Sequence, residues 1–470
     1  MQRLAIRLLF PLLVASATPR AGNPYYYAHW CGQEKYALTL LDDRECQKVF
    51  PSNASRTMTC DAAADALSEE QLRARGYARE APLPDVAVDE AVLAARAPAT
   101  RDVSVCVVLV ARAAGGEAWY RYLCGEGDAA RAAETWSSSK MFAAANAAGR
   151  LRDVAARRPG KGVASPMSLR AGAKSAPLAD MATVLASYDT TAGYTSNALG
   201  GFFNWVGWRE RSLRNVEAWL WNGRDRAGQS LGGNYGEPVP ADLDYDPVVL
   251  SGDDAAAGLA VKADPSTAVV PNTLTPLSAV EMMRRIAMCE RLGREELRFP
   301  NTTCDDARAM LYGPDLLPGS DTATATARSS SVLFPPSTVF GGLSADTAIY
   351  TQVAALDAID RAGAALDDGA FRIFSKLGAG YSTSRRVGEV LSTAYACLPV
   401  RGGDASVRGL ELLLSVRASV PHDVALRRAD ELVGAAVHDI VAAAMRGELD
   451  GGGTRGPAKT QHAPTYAPVD

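Results

Sequence analysis

Histidine is scarce in this sequence, which has only four in 470 residues, at His29, His422, His438 and His462. They are scattered along the chain, so a histidine-rich metal centre is not expected and a histidine-based catalytic triad has few candidates. Proton transfer is therefore expected to use another base, with no metal ion and no organic cofactor.

An excess of one charge and a long apolar run are also lacking. The 49 Lys and Arg stand against 53 Asp and Glu, which gives a net charge of −4 and not the basic balance of a nucleic-acid-binding protein. No run reaches the roughly 18 uninterrupted apolar residues that a membrane-spanning helix needs. At 47% hydrophobic and 22% charged residues, the composition is typical of a soluble globular protein.

The first 17 residues are typical of an export signal. Arg3 and Arg7 provide positive charge, residues 8–14 are apolar, and Ala15-Ser16-Ala17 is typical of a cleavage site. We expect a mature chain that begins near Thr18 and is secreted or periplasmic. A buried N-terminal strand is the alternative, because the apolar segment is short.

Eight cysteines, an even number, favour disulfide bonds in an exported protein. Cys289 and Cys304 flank one short segment and are the predicted pair, while the spacing decides no other partner. Asn53-Ala54-Ser55 and Asn301-Thr302-Thr303 are sequons, which matter only if the source glycosylates proteins.

Hydrophobic patterning predicts a β-hairpin near residue 110 and several helices after it. The run 103–110 is a buried strand, 119–123 is an aromatic strand, and Gly115-Gly116 is the turn between them. Helices are expected over 129–152, 178–187, 197–221 and 276–291. The last has a clear start signal, since Thr275 can cap it and Pro276 can occupy its first position.

The C-terminal third predicts strands again, over 371–374, 387–398 and 410–416, and then a long helix over 423–445. Strands at both ends around a helical middle favour an α+β fold, in which one antiparallel sheet is built from both chain ends with flanking helices and an inserted helical lobe. The expected divisions are a signal peptide over 1–17, a cysteine-containing extension over 18–101, a main domain over 102–450 and a disordered tail over 451–470. A surface insertion is expected over 316–338.

The chemistry first appears in Thr135-Trp136-Ser137-Ser138-Ser139-Lys140. Ser137 and Lys140 are three residues apart, so their side chains share one face of a helix, where a lysine amine of lowered pKa can take a hydroxyl proton. Alone, this Ser-x-x-Lys motif is equally compatible with a solvated helix start.

Two further motifs follow in order, Tyr194-Thr195-Ser196-Asn197 and Lys376-Leu377-Gly378-Ala379-Gly380 with Arg385 after it. Together the three resemble the Ser-x-x-Lys, Ser-Asp-Asn and Lys-Thr-Gly elements of the penicillin-recognising serine hydrolases, and most of all the class A β-lactamases. The resemblance spans residues 103–445. It implies a β-lactamase or transpeptidase-like fold, and Asn272-Thr273-Leu274-Thr275-Pro276 resembles the family's segment after its Ω loop.

The resemblance implies a catalytic role for three matched residues. Ser137 would be the acylated nucleophile and Lys140 its general base or proton relay. Thr195 stands where the family has serine, and its hydroxyl would pass a proton to the leaving nitrogen.

The resemblance also implies how a substrate would be held. Asn197 would bind the substrate amide, and Lys376 would maintain the positive field. Gly378 would let the strand approach the substrate. The backbone N–H groups of Ser137 and Ala379 would form the oxyanion hole, and Arg385 would bind the substrate carboxylate.

Glu237 is the candidate for the base that activates water against the acyl-enzyme. It lies in Asn234-Tyr235-Gly236-Glu237-Pro238, 40 residues after Asn197, and a Glu-Pro pair is typical of the family's Ω loop. The asparagine that the family carries shortly after it is missing here, and a solvated loop glutamate is the alternative.

Departures from the family pattern leave other functions open. Leu377 replaces threonine, and the stretch between Asn197 and Lys376 is much longer than in the family, so a catalytically weak or inactive binding protein on the same fold is the main rival. Gly228-Gln229-Ser230-Leu231-Gly232 also matches the nucleophile elbow of α/β-hydrolases, but the residues before it are polar where a buried strand is required. The sequence therefore predicts an exported serine hydrolase that takes a β-lactam, peptide or ester substrate.

Overall fold

The computed structural model of this protein describes residues 67–79, 87–157, 167–171, 174–178, 181–182, 185, 195–207, 229–239, 248–251, 254–262, 271–292, 298–312, 358, 365–366, 372–401 and 407–450. The expected signal peptide, the first sequon, the surface insertion and the C-terminal tail lie outside the described residues, as does most of the N-terminal extension. All statements below concern the described part of the chain.

The strands belong to three sheets. In chain order they are β1 (Ala78–Arg79), β2 (Val88–Asp89), β3 (Ser104–Arg112), β4 (Ala118–Cys124), β5 (Ala133–Glu134), β6 (Ser168–Ala171), β7 (Lys174–Pro177), β8 (Val248–Ser251), β9 (Asp254–Ala260), β10 (Thr273–Leu274), β11 (Ala365–Leu366), β12 (Arg372–Ser382), β13 (Val387–Arg401) and β14 (Val407–Pro421). The largest sheet has eight strands in the order β1-β4-β3-β14-β13-β11, with β12 also on β13 and β2 on β4.

The two ends of the chain meet in this sheet where β14 pairs with β3. The pairing is antiparallel and runs from Glu411 opposite Val110 to Arg417 opposite Ser104. Only the short β2–β4 pair of the large sheet is parallel. The expected architecture, one sheet assembled from both ends of the chain, is therefore confirmed.

Strand β3 shows why the sheet is stable, because it is buried on both faces. Val105, Val107 and Leu109 belong to one hydrophobic cluster, whereas Cys106 and Val108 belong to another. Successive side chains of a strand point to opposite faces, so an uninterrupted apolar run packs against both layers.

Helices cover the two faces. They are α1 (Glu69–Ala74), α2 (Val92–Arg96), α3 (Lys140–Ala156), α4 (Ser196–Gly207), α5 (Pro276–Ala287), α6 (Cys304–Tyr312) and α7 (Leu426–Met445). The first cluster holds the long C-terminal helix α7, and the second holds α3, α4 and α5, which form the helical lobe. Helix α5 begins as expected, with Thr275 accepting from the Ser278 N–H at 3.0 Å and Pro276 at the first position.

The helix expected over 129–152 was placed too early, since α3 begins only at Lys140. Ala133 and Glu134 instead form a strand with Leu274 and Thr273. Trp136 has a φ of 46°, which no residue within an α-helix adopts. It is the first residue of a 3₁₀ turn over Trp136–Ser139. Long-range pairing has therefore overridden local helix propensity in this segment.

The other expected elements differ mainly in length. The three C-terminal strands are longer than predicted, because their hairpins continue through polar residues to the turns. The helix expected over 197–221 is α4, and the part after residue 207 lies outside the described residues.

Two disulfide bonds lie in the described part of the chain. Cys289 is bonded to Cys304, as predicted, and this bond ties the end of α5 to the start of α6. Cys106 is bonded to Cys124 across the β3–β4 hairpin, where the two residues are direct register partners. The described cysteines include no free thiol.

Candidate active site

Three consecutive serines form the turn that leads into α3. Two of them use their hydroxyl groups in hydrogen bonds within the turn. Ser138 Oγ donates to the Thr135 carbonyl oxygen at 2.7 Å, and Ser139 Oγ donates to the Trp136 carbonyl oxygen at 3.1 Å. Ser137 is half-buried, and among the described residues its hydroxyl forms no such hydrogen bond to the turn's carbonyl groups. Ser137 is therefore the serine of the three that can act as a nucleophile.

Lys140 is the first residue of α3, and its side chain is completely buried. Its Nζ donates to Ser196 Oγ at 3.0 Å and to Asn197 Oδ1 at 2.5 Å. The same Nζ lies 5.1 Å from the centre of the Tyr235 ring, a cation–π distance. The amine is thus held in place, one helical turn after Ser137.

The start of α4 supplies the partners of this lysine. Thr195 caps the helix, because its Oγ1 accepts from the Ala198 N–H at 3.1 Å. The Thr195 hydroxyl also donates to Glu237, and Asn197 Nδ2 donates to Glu237 Oε1 at 3.2 Å. The cap thus positions Ser196 and Asn197 toward Lys140, and both Thr195 and Asn197 toward Glu237.

Asn272 holds the loop that carries Glu237. Its Oδ1 accepts from the backbone N–H groups of Gly232 and Gly233, each at 3.0 Å, and its Nδ2 donates to the Gly233 carbonyl oxygen. Its backbone carbonyl oxygen accepts from the N–H and the hydroxyl of Thr135. One buried asparagine therefore connects the glutamate loop to the turn that presents Ser137.

Strand β12 packs directly against that turn, and two glycines allow the contact. A Cβ at Gly378 would lie 2.5 Å from the Thr135 carbonyl oxygen and 2.9 Å from the Ser138 nitrogen, and a Cβ at Gly380 would lie 2.5 Å from the Trp136 ring. Any other residue at either position would collide with backbone or with a packed indole.

The other strand residues expected at the site occupy alternate faces of β12. Lys376 is on the face of Gly378, is fully buried, and donates from Nζ to the Leu377 carbonyl oxygen at 3.1 Å. Ala379 has an exposed side chain and directly follows Gly378, the glycine that contacts the turn around Ser138.

Arg385 lies at the end of the β12–β13 hairpin in an ion pair. Its guanidinium donates to both oxygens of Glu389 at 2.7 Å and to Glu134 Oε2 at 2.8 Å. Glu389 Oε2 also accepts from Trp136 Nε1 at 3.0 Å. Arg385 is thus connected through Glu389 to Trp136, in the turn over Trp136–Ser139 that contains Ser137.

The charges in this cluster stabilise each other. Burial of Glu389 opposes its ionisation, but hydrogen bonds from Arg385 and Trp136, together with the Arg385 charge, lower the pKa of the carboxyl. Burial likewise disfavours the Arg385 cation, but the hydrogen bond and charge of Glu389 raise the pKa of the guanidinium. Both groups are therefore ionised at neutral pH.

The structure thus brings the sequence-predicted residues into two neighbouring groups. In the first, hydrogen bonds join Lys140, Asn197, Glu237 and Thr195, and Ser137 lies in the turn just before Lys140. The second lies along β12 and its turn, and consists of Lys376, Gly378, Ala379 and Arg385.

Several residues at the site were not found from the sequence. Ser196 and Tyr235 stand within quoted motifs, but only the fold brings them to Lys140. Tyr235 also bonds Ser139 Oγ through its hydroxyl at 2.9 Å. The sequence carries one signal for Glu389, because it is the single carboxylate in a mostly apolar predicted strand.

Ser230, the rival nucleophile, is not on an elbow. It forms an isolated antiparallel bridge with Thr273, and its hydroxyl donates to the Pro271 carbonyl oxygen. A nucleophile elbow needs a sharp turn between a strand and a helix, which this extended bridge is not.

The described part of the chain contains neither a metal-binding cluster nor a helix that could span a membrane. No group of three or more His, Cys, Asp or Glu side chains is placed there to hold a metal ion. No described helix is both long enough and apolar enough to cross a membrane.

Solved structures similar to this chain include class A β-lactamases and penicillin-binding transpeptidase domains. A class A β-lactamase from Mycobacterium abscessus is 12% identical with a TM-score of 0.36, over 75% of this chain and 99% of that one. A β-lactamase from Burkholderia vietnamiensis is 12% identical with a TM-score of 0.35, over 76% and 96%. The transpeptidase domain of Burkholderia pseudomallei penicillin-binding protein 3 is 9% identical with a TM-score of 0.28, over 76% and 93%. No protein-family model and no curated protein matches the chain.

Proposed function

We propose that this protein is a serine hydrolase that forms an acyl-enzyme on Ser137 and then hydrolyses it, with a β-lactam or a related amide or ester as acyl donor. The observation that carries the proposal is the hydrogen-bond chain from Lys140 through Asn197 to Glu237, beside the turn that presents Ser137. It provides a nucleophile, a base for acylation and a base for deacylation in one place.

In acylation, Ser137 Oγ forms a bond to the carbonyl carbon of the donor while its proton passes to the amine of Lys140, which this step requires in its neutral form. The backbone N–H groups of Ser137 and Ala379 stabilise the developing oxyanion. When the tetrahedral intermediate collapses, the bond to the leaving nitrogen or oxygen breaks and that atom receives the proton.

Two hydroxyls are available to carry the proton to the leaving group. Thr195 has the family's position, but its hydroxyl donates to Glu237. Ser196 Oγ lies 3.0 Å from Lys140 Nζ and donates to the Leu185 carbonyl oxygen. In our proposal Thr195 delivers the proton after its hydroxyl rotates away from Glu237. Thr195 is favoured over Ser196 because it is half-buried just before α4, whereas Ser196 is buried.

In deacylation, the Glu237 carboxylate takes a proton from water as the water oxygen attacks the acyl carbon. The bond between that carbon and Ser137 Oγ then breaks, Ser137 regains a proton, and a carboxylic acid is released. No metal ion or organic cofactor has a role in this sequence of steps.

A slow, penicillin-binding-like protein on the same fold is the second candidate. It is favoured by the two hydrogen bonds that Glu237 already accepts, one on each carboxylate oxygen, because they compete with a hydrolytic water. The two candidates differ in the lifetime of the acyl-enzyme.

Labelling with a fluorescent penicillin and with an activated ester, followed by intact-mass measurement, tests the proposal. Ser137→Ala should form no adduct, whereas Ser230→Ala, which removes the rival serine, should form the wild-type adduct. Labelling that persists in Ser137→Ala, or no adduct on the wild type with any donor, would refute it.

Export is part of the same proposal. It is supported by the two disulfides of the described region, since such bonds persist in oxidising compartments. A mature protein that still begins at Met1 and titrates with eight free thiols would contradict it.

A further inference from the structure

We infer that the Ser137 site selects acyl donors that carry no carboxylate group, because the arginine available to bind such a group is already occupied by two glutamates. The inference rests on the proposed acylation of Ser137 and narrows its substrate class to uncharged esters and amides.

The first step is the pairing of Arg385. Three of its contacts are hydrogen bonds to carboxylate oxygens, two to Glu389 and one to Glu134. The fork of a guanidinium binds one carboxylate through two parallel bonds, and here Glu389 has taken that position. A substrate carboxylate would have to displace it.

The second step is that Glu389 cannot easily give way. Its side chain is only 2% exposed. Besides Arg385 it accepts from Trp136 Nε1 at 3.0 Å and from Ser419 Oγ at 3.2 Å, and Arg417 lies 3.6 Å away. A carboxylate held by four groups keeps its position. If Arg385 were released, the negative charge of the buried Glu389 would be only partly compensated.

The third step concerns the partly exposed glutamate. The side chains of Glu134 and Arg385 are 32% and 39% exposed, so both can be reached from solvent. The cluster contains two cations, Arg385 and Arg417, and two anions, Glu134 and Glu389. An incoming carboxylate therefore meets a neutral cluster whose exposed anion repels it.

Lys376, in β12, does not replace Arg385 in this cluster. It is completely buried and donates to the Leu377 carbonyl oxygen. The cluster around Arg385 therefore carries no excess of positive charge for an anionic donor.

Two esters of nearly the same shape test this inference on the full-length protein, 4-nitrophenyl butyrate and the 4-nitrophenyl half-ester of succinic acid. The butyrate ends in a methyl group where the half-ester ends in a carboxylate. The acylation rate of each is measured from the 4-nitrophenolate released in excess of the uncatalysed release, which is subtracted because the carboxylate of the half-ester attacks its own ester, and the Ser137 adduct is identified by mass. We expect the wild type to favour the butyrate by about tenfold or more, a factor that corresponds to about 1.4 kcal/mol in the barrier.

Glu134→Gln should then raise the succinate-to-butyrate ratio by about three- to tenfold, because it removes the exposed anion beside Arg385. Glu69→Gln is the control. It removes the same charge from an exposed carboxylate that pairs with Arg73, and it should leave the ratio unchanged.

A wild type that accepts the half-ester as fast as the butyrate would overturn the inference while leaving the proposed function intact. An unchanged ratio in Glu134→Gln would overturn it too. If neither ester forms an adduct on Ser137, the proposed function fails and this inference fails with it. The wild-type comparison needs no variant, so it does not depend on how Glu134→Gln folds.

Discussion

The side chain of Asn197 connects Lys140 to Glu237. Its Oδ1 accepts from Lys140 Nζ at 2.5 Å, and its Nδ2 donates to Glu237 Oε1 at 3.2 Å. An amide can serve both because it has an acceptor at one end and donors at the other. The base proposed for acylation and the base proposed for deacylation are therefore positioned by one residue.

Asn197→Ala should slow both acylation and deacylation by about two orders of magnitude, since each base loses the contact that orients it. Pre-steady-state labelling gives the first rate, and decay of the isolated adduct gives the second. A variant in which only one of the two rates falls would show that Asn197 does not couple the bases.

Glu237→Gln should acylate at close to the wild-type rate but accumulate a long-lived adduct, because an amide cannot take a proton from water. Time-resolved intact-mass measurement would follow the adduct, with Ser137→Ala as the variant that forms none. If the wild type itself accumulates the adduct and Glu237→Gln releases it at the same rate, the glutamate has no part in turnover.

Gly378→Ala should destabilise the protein by about 1–3 kcal/mol and reduce acylation, because the added methyl group would displace the turn around Ser138. Denaturant unfolding gives the stability, and donor labelling gives the rate. Ala379→Ser adds an atom to the exposed neighbour and should stay within about 0.5 kcal/mol of wild type. Equal effects of the two substitutions would refute the close contact.

The lowered pKa of Glu389 predicts how its contribution to stability depends on pH. A carboxyl whose pKa is lower in the folded state contributes stability above its unfolded pKa of about 4.3 and loses that stability as the pH falls toward the folded pKa. The difference in unfolding free energy between wild type and Glu389→Gln should therefore be constant from about pH 7 to 5 and shrink below about pH 4.3. Urea unfolding at several pH values measures it, and a difference that grows in acid would contradict the sign of the shift.

Local sequence patterns were sufficient to predict several elements of the fold. Period-two and apolar runs identify β3 and β4, and Thr275-Pro276 identifies the start of α5, because these signals lie within a few residues of each other. The three-residue spacing of Ser137 and Lys140 predicts one helical face, but Ser137 lies in the 3₁₀ turn before α3, which begins at Lys140. The pairing of Cys289 with Cys304 followed from their closeness in the chain.

Contacts between distant segments could not be predicted from local sequence patterns. The Cys106–Cys124 bond depends on hairpin register, and the late start of α3 depends on the pairing of β5 with β10. The approach of Glu237 to Asn197 depends on the loop that Asn272 holds. The pairing of Arg385 with Glu134 joins residues 251 positions apart. Periodicity and spacing identify which residues can do chemistry, but packing of the sheet against the lobe decides which charges meet, because that packing alone brings such segments within hydrogen-bond distance.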